Sequence, residues 1–473
     1  MRVRRGSLLA YLKRHDEAAV EFERAMALEP SLPALPGLVL HARANVCDWR
    51  EYEQQAGQIV EATRRGKCAA SPLVMVSLTD APALQLACAP AWVALDAPPA
   101  ARLWNGERYA HDRVRIGYLS SDLDEHAVAY LLAGVVEAHD PARVMTIAFS
   151  TGAASSTPMH VRMRAAFDRF HDVAELADQE LAAKIRAEEI DILVDLNGHT
   201  HGSRLRVLAM KPAPICASYL GFPGTSGAPY VDYAIADGFV VPEHARAHWS
   251  ERVIDLPRTF QANDGKRPTP GSARREEAGL PTRGVVFCVF GNSYKITSQM
   301  FRTWMGILRS CEGSVLWLLA GPPVLADNLR REAHEQGIDP SRLFFASRLP
   351  YEAHLARLAL ADVFLDTFPF NGGATASDAL WCGVPVVTRA GGAMAARMAG
   401  SLLRAIGLTD LVTDSCESYA SAAVSLALDQ PRLAAIKSML ARERGALGLF
   451  DSQRFCRELE AAYASMLSTS SAA

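Results

Sequence analysis

The sequence predicts an α/β protein in which two doubly wound parallel-sheet domains follow a short helical segment. Short apolar runs of strand character alternate with helical stretches in two successive series, one starting near residue 113 and the other near 284. Between them lies "QANDGKRPTPGSARREEAGLPTRG", which is polar, charged and rich in Pro and Gly, and reads as a linker. At 473 residues the chain is also too long for one ordinary core.

In order along the chain, residues 1 to about 112 carry helical patterns and no convincing strand. Within 1–32, Gly6, Leu9, Ala18, Phe22, Ala25 and Pro30 fall at the small, apolar and breaker positions of a single tetratricopeptide-like repeat. One repeat cannot bury its faces by stacking on itself, so it must pack on the next helices of the chain or on upstream repeats. Residues 33–112 read as a helical connecting region. The first strand series occupies 113–262, with "VRIGYLS", "VMTIAFS", "IDILVDL", "ICASYLG", "VDYAIA" and "RVIDLP". The linker takes 263–283. The second series, in 284–468, contains "VVFCVFG", "SVLWLLAG", "RLFFAS", "DVFLDT" and "VPVVT". Ligands of such folds bind at the carboxyl ends of strands, so a cleft between two facing domains is the expected site.

Composition narrows the partners. The chain is 49% apolar and 21% charged with a formal net charge of -3, which argues against a sequence-wide basic surface, and no nucleic-acid partner is expected. Nine dispersed cysteines without a C-x-x-C pair suit buried thiols in a reducing compartment better than disulfides or a zinc motif. The basic N-terminus has only a brief apolar patch, Leu8 to Leu12, too short for a signal peptide. No run of about 18 apolar residues occurs, so no membrane partner and a cytoplasmic location are expected.

There is no G-x-G-x-x-G after an early strand and no P-loop, so plain NAD or ATP chemistry loses ground. What remains is polar residues at strand ends. Asn292, Ser293, Tyr294 and Lys295 follow "VVFCVFG", and an ammonium there suits a phosphate, although a solvated loop lysine reads equally well. His354 and Arg357 stand at i and i+3 of one predicted helix. "FPFNGGATASDALWCGVPVV" follows a third strand end, where Ala374 to Trp381 can form a helix whose free N–H groups attract an anion. Asp378, one turn in, would repel phosphate and suits ribose hydroxyls or backbone donors instead. Together these elements point to a nucleotide diphosphate, that of a sugar nucleotide, since diphosphate can act as a leaving group.

"DLNGHTHGSRLRVLAMKPAPICASYLGFPGTSGAPYVDYAIAD", "NSYKITSQM", "ADVFLDTFPFNGGATASDALWCGVPVVT" and "CDWREYE" resemble the O-linked N-acetylglucosamine transferase and SPINDLY family of glycosyltransferases, over about residues 45 to 465. The resemblance implies a GT-B fold of two facing Rossmann-like domains, the first on the acceptor and sugar side and the second on the nucleotide-sugar side. It implies inverting, metal-independent transfer of N-acetylglucosamine from UDP-N-acetylglucosamine to protein Ser or Thr hydroxyls, with no cofactor beyond the donor. Carried over by matching motifs, Lys295 contacts the diphosphate. Asn292, His354, Arg357 and Asp378 hold the nucleotide, with Gly373, Ala374 and Thr375 on the diphosphate. Gly221, Pro223, Gly224 and Thr225 line the sugar pocket. "YLSSDLDEH" places Asp122 and His126 near the anomeric carbon and acceptor, with His126 either general base or positioning residue.

Two other motifs carry less. Asp122 and Asp124 form D-x-D, a metal motif of another glycosyltransferase fold. His199 and His201 form H-x-H without a third ligand at helical spacing. No metal site is assigned to either. Many animal members have a histidine where this chain has Gly373, and histidines near Ser71, Pro72 and Leu73. The rival readings are GDP-fucose as donor, as SPINDLY-type members imply, a UDP-sugar epimerase, and a repeat-linked interaction protein without catalysis.

Overall fold

The structure, a computed structural model, describes residues 1–442, 444–445 and 447–470. The first strand series forms an all-parallel sheet of seven strands: β1 (Val114–Ser120), β2 (Val144–Ser150), β3 (Arg169–Asp172), β4 (Ile192–Asp195), β5 (Ile215–Ser218), β6 (Tyr233–Asp237) and β7 (Arg252–Leu256), in the order β3-β2-β1-β4-β5-β6-β7. The second forms a parallel sheet of six: β8 (Val286–Val289), β9 (Val315–Leu319), β10 (Leu343–Ala346), β11 (Val363–Leu365), β12 (Val386–Arg389) and β13 (Val412–Thr413), in the order β10-β9-β8-β11-β12-β13. Each strand series starts at mid-sheet, winds to one edge, then returns and winds to the other. The reversal falls between β1 and β4 in one sheet and between β8 and β11 in the other.

The central strands are mostly apolar because helices cover both faces. On one face of the first sheet Ile116, Tyr118 and Val194 pack with Leu132 and Val136 of the Ala127–Val136 helix and with Leu459, Tyr463 and Met466 of the Ser452–Ser470 helix. On the other face Leu119, Ile147, Phe149 and Leu193 pack with Ile185 and Leu208.

The described residues divide into two compact units, one built from residues of 1–80 and 268–447 and the other from 81–267 and 448–470. Three boundaries therefore differ from those the sequence suggests. The helical region does not stay in one piece: the helices from Arg2–Tyr11 to Pro72–Leu78 group with the second sheet, and Pro82–Asp96 groups with the first. The last helix, read as part of 284–468, instead buries Leu459, Tyr463 and Met466 against the first sheet, where apolar area awaits it. The expected linker is buried at its start, because Asp264 takes the Arg162 guanidinium at 2.6 Å and Asn263 bonds Gln261.

In the N-terminal pair, Arg2–Tyr11 and His15–Leu28, a Cβ on Gly6 would come within 2.5 Å of the Phe22 ring, so only glycine lets the helices approach this closely. Leu9, Ala18, Phe22 and Ala25 fill that interface. The next helix, Leu35–Ala44, reaches the loop after β8. His41 meets the Tyr294 ring at 4.8 Å, and Asn45 accepts from Ser293 Oγ at 2.7 Å. Among the described residues no helix is long and apolar enough to cross a membrane.

Candidate functional site

In the unit built on the second sheet, three loops leave the carboxyl ends of β8, β10 and β11. β8 and β11 are the neighbours at the reversal of strand order, where such sheets open a crevice. After β8 the chain turns through Ser293–Lys295, with Asn292 exposed at its start. Lys295 Nζ donates to the Asn371 carbonyl at 3.1 Å and sits 3.6 Å from the centroid of the Phe370 ring. Those two contacts tie the first loop to the third.

The third loop is held from beneath by Asp366, which is 1% exposed. Its carboxylate accepts from Gly372 N at 2.6 Å, Thr367 N at 2.9 Å and Thr388 Oγ1 at 2.6 Å. A Cβ on Gly372 would lie 2.6 Å from Thr375 Oγ1 and 3.2 Å from Asp366 Oδ1, so the turn over Asp366 closes only on glycine. Gly373 then caps the Ala374–Trp381 helix without a side-chain bond. First-turn N–H groups of a helix lack intrahelical acceptors, so Ala374 and Thr375 begin an anion-attracting end within the loop that Lys295 contacts. Asp378, 8% exposed, accepts from the Tyr351 hydroxyl at 2.8 Å.

The Tyr351–Leu358 helix follows β10 and brings His354 and Arg357 together, with Arg357 Nη2 3.3 Å from His354 Nδ1. Arg357 also donates to the Ser347 carbonyl and lies over the Phe290 ring at 5.2 Å. Electrostatics reflect this crowding. Desolvation lowers Lys295 to about 8, against a smaller opposing pull from Asp366. Desolvation raises Asp366 to about 7, with its hydrogen bonds and Lys295 pulling the other way. Burial, then Arg357 and Arg348, lowers His354 to about 4, so the ring is neutral near pH 7.

In the unit built on the first sheet, the loops after β1, β4 and β5 carry the remaining residues, with β1 and β4 again the neighbours at the reversal. Asn197 organises them. Its Nδ2 donates to Asp122 Oδ2 and Ser121 Oγ, both at 2.9 Å, while its Oδ1 accepts from Ser121 N at 2.9 Å. Asp195 below it accepts from Asn197 N and Gly198 N, and desolvation raises it to about 6. His126 caps the Ala127–Val136 helix, its Nδ1 accepting from Val128 N at 3.3 Å and standing 3.6 Å from Asp122 Oδ2. A neutral imidazole whose Nδ1 accepts carries its hydrogen on Nε2, which makes that second nitrogen a donor.

Of the four residues expected in the sugar pocket, Pro223, Gly224 and Thr225 are buried. Thr225 Oγ1 donates to Glu251 Oε2 at 2.7 Å, which fixes the loop rather than presenting its hydroxyl. A Cβ on Gly221 would fall 1.9 Å from the Leu196 carbonyl, so glycine is needed where the β5 loop crosses the β4 loop. The carboxylates of the D-x-D face different partners. Asp122 is held by Ser121 and Asn197, whereas Asp124 accepts from Ser155 Oγ and Thr157 Oγ1. In the H-x-H, His199 is buried on the Ser226 carbonyl at 2.7 Å and lowered to about 4 by burial, while His201 is exposed.

Asp366 and Asn197 are site residues that sequence reasoning missed. Asp366 lies within "DVFLDT", where it passes for the polar end of a strand, and Asn197 within "DLNGHTHG", where the histidines draw attention.

Residues 98–270 and 269–459 match the sequence profile of glycosyl transferase family 41. The chain is 38% identical over 361 residues to the probable UDP-N-acetylglucosamine–peptide N-acetylglucosaminyltransferase SEC of Arabidopsis thaliana, covering 75% of this chain and 37% of that one. It is 28% identical over 372 residues to the probable UDP-N-acetylglucosamine–peptide N-acetylglucosaminyltransferase SPINDLY of Solanum lycopersicum, covering 77% and 40%. The chain thus spans about two fifths of the length of these curated relatives. Among solved structures it matches a mutant O-GlcNAc transferase of Thermobaculum terrenum with a TM-score of 0.83 at 30% identity, covering 99% of this chain and 91% of that one.

Proposed function

The chain belongs to glycosyl transferase family 41, and from that premise we propose that it moves N-acetylglucosamine from UDP-N-acetylglucosamine to Ser and Thr hydroxyls of proteins by an inverting, metal-independent displacement. Its fold is GT-B, with two parallel sheets and an N-terminal helical segment.

The observation that carries the reading is Lys295 on the Asn371 carbonyl, in the loop that opens the Ala374–Trp381 helix. An ammonium and a helix N-terminus in one loop cluster suit a diphosphate that gains charge as it leaves. In the displacement the acceptor oxygen bonds to the anomeric carbon while the bond from that carbon to the phosphate oxygen breaks. The electron pair departs on the diphosphate, where Lys295 and the helix N–H groups stabilise it, and the hydroxyl proton passes to a base. Asp378, oriented by Tyr351, supports ribose binding, and His354 and Arg357 support the rest of the nucleotide. His126 suits a positioning role, because its Nδ1 already accepts from Val128 N and its other nitrogen is then a donor.

The test is thermal shift with UDP-N-acetylglucosamine, UDP-glucose and GDP-fucose, followed by transfer assays on the wild type and Lys295→Ala. The wild type should be stabilised most by UDP-N-acetylglucosamine. The variant should fold but lose ~3 kcal/mol of transition-state stabilisation, more than a hundredfold in rate. Preference for GDP-fucose would replace the donor. Wild-type turnover in Lys295→Ala would overturn the diphosphate site.

A further inference from the structure

Beyond the last turn of the Ala127–Val136 helix, in the unit of the first sheet, three metal-ligating side chains meet in the interior: His139, Cys456 and Glu460. We propose that they bind one divalent ion, zinc by their chemistry, which staples the C-terminal helix to the helix that His126 caps.

The geometry comes first. His139 Nδ1 lies 2.9 Å from Glu460 Oε1 and 3.4 Å from Cys456 Sγ, and Sγ lies 3.7 Å from Oε1. A triangle of those sides has a centre about 2 Å from each corner, close to a zinc–nitrogen or zinc–oxygen bond, and a small outward shift of sulfur completes the fit. Cys456 and Glu460 stand at i and i+4 of the Ser452–Ser470 helix, so one helical face offers both, and His139 comes from the segment that follows the Ala127–Val136 helix. The His139 and Glu460 side chains are 4% and 6% exposed, and Cys456 is buried.

The surroundings match those of a ligand set. His139 Nε2 is 2.9 Å from the Tyr118 hydroxyl, which in turn lies 3.0 Å from that of Tyr463, and this chain fixes the ring orientation. Asp140 N donates to Glu460 Oε1 at 2.9 Å and Arg143 stands 3.9 Å from Oε2, which orients the carboxylate with Oε1, through its second lone pair, toward the histidine and cysteine. His139 follows the carbonyl end of its helix, where the dipole favours a cation. Cys456 Sγ meets Nδ1 and Oε1 at 3.4 and 3.7 Å, contacts too long for a strong hydrogen bond. A metal turns that thiol into a thiolate ligand. Imidazole, thiolate and carboxylate together suit zinc rather than magnesium or calcium, with water in the fourth position.

This ion would take no part in transfer. It would pin one end of a ten-residue helix whose other end is capped by His126, and so stands independently of the proposed reaction.

The test uses the full chain, stripped with a chelator and titrated with Co²⁺. The expected result is a thiolate-to-cobalt charge-transfer band that saturates at one equivalent, is displaced by Zn²⁺ and is absent in Cys456→Ser. Zinc should also raise the Tm of the stripped wild type in a concentration-dependent way, and Glu460→Gln should reduce that rise. No band in the wild type, or the same band in Cys456→Ser, overturns the site. If Cys456→Ser does not fold, the wild-type Tm decides, and a Tm unmoved by zinc overturns it equally.

Discussion

Lys295 Nζ sits 3.6 Å from the centroid of the Phe370 ring while donating to the Asn371 carbonyl at 3.1 Å, so one ammonium joins the β8 loop to the β11 loop. Its lowered pKa of about 8 makes the charge conditional on pH. In free enzyme the ammonium is lost as pH rises through about 8, so kcat/KM should fall above that value. A bound diphosphate favours the charged form, so kcat should fall only at higher pH. Lys295→Arg stays cationic throughout, and should have a lower maximum but no alkaline fall in kcat/KM. Parallel pH–rate profiles of the two proteins check this. An alkaline limb that persists in the arginine variant would assign it to another group.

Tyr351 and Asp378 give a second prediction. Tyr351→Phe removes a 2.8 Å hydrogen bond to a buried carboxylate with little change in volume. The expected loss is ~1.4 kcal/mol, about tenfold in KM for the donor, with kcat little changed. Initial-rate kinetics over donor concentration measure it. A fall in kcat at constant KM would move Asp378 away from nucleotide binding.

Asp366 predicts a stability effect with a defined sign. Its folded pKa is about 7, against about 4 for an unperturbed carboxyl, so between those values the folded state binds more protons than the unfolded. The contribution of this residue to stability therefore declines as pH rises from about 4 to about 7, and its full cost persists above. Asp366→Asn keeps an acceptor for Gly372 N and Thr367 N and cannot titrate. Its Tm should depend less on pH across that window and equal or exceed the wild-type value at pH 8. Asp366→Ala leaves those donors unpaired and should lose ~3 kcal/mol. Thermal unfolding over a pH series checks both.

The strands that sequence periodicity revealed are those with unbroken apolar runs, such as β4 and β8, because burial on both faces writes itself into composition. β3, "RFHD", escaped because it is a half-exposed edge strand with charged residues at both ends, and β13 because two residues carry no period. The grouping of the C-terminal helix with the first sheet was also illegible. Its apolar stripe at Leu459, Tyr463 and Met466 says that it packs, but not on which of two sheets. In the site, Lys295, His354 and Arg357 were visible as polar residues after strands. Asp366 and Asn197 were not, since what distinguishes them is the number of backbone and side-chain groups that converge on them in space.

His126 yields the prediction that separates its two possible roles. Its Nδ1 already accepts from Val128 N, and its side chain is 52% exposed, so the ring serves the helix on one side and solvent on the other. His126→Ala removes the cap, which typically costs ~1 kcal/mol, and should lower both Tm and rate. His126→Asn restores a strong capping side chain without a titrating group, and should recover the wild-type Tm while kcat stays reduced by about tenfold or more. Because Nε2 acts as a donor in this arrangement, the acid limb of the kcat profile should survive in the asparagine variant, with KM for the donor unchanged. Loss of that limb in His126→Asn would make the histidine the general base, and would require the Val128 bond to break before the acceptor hydroxyl gives up its proton.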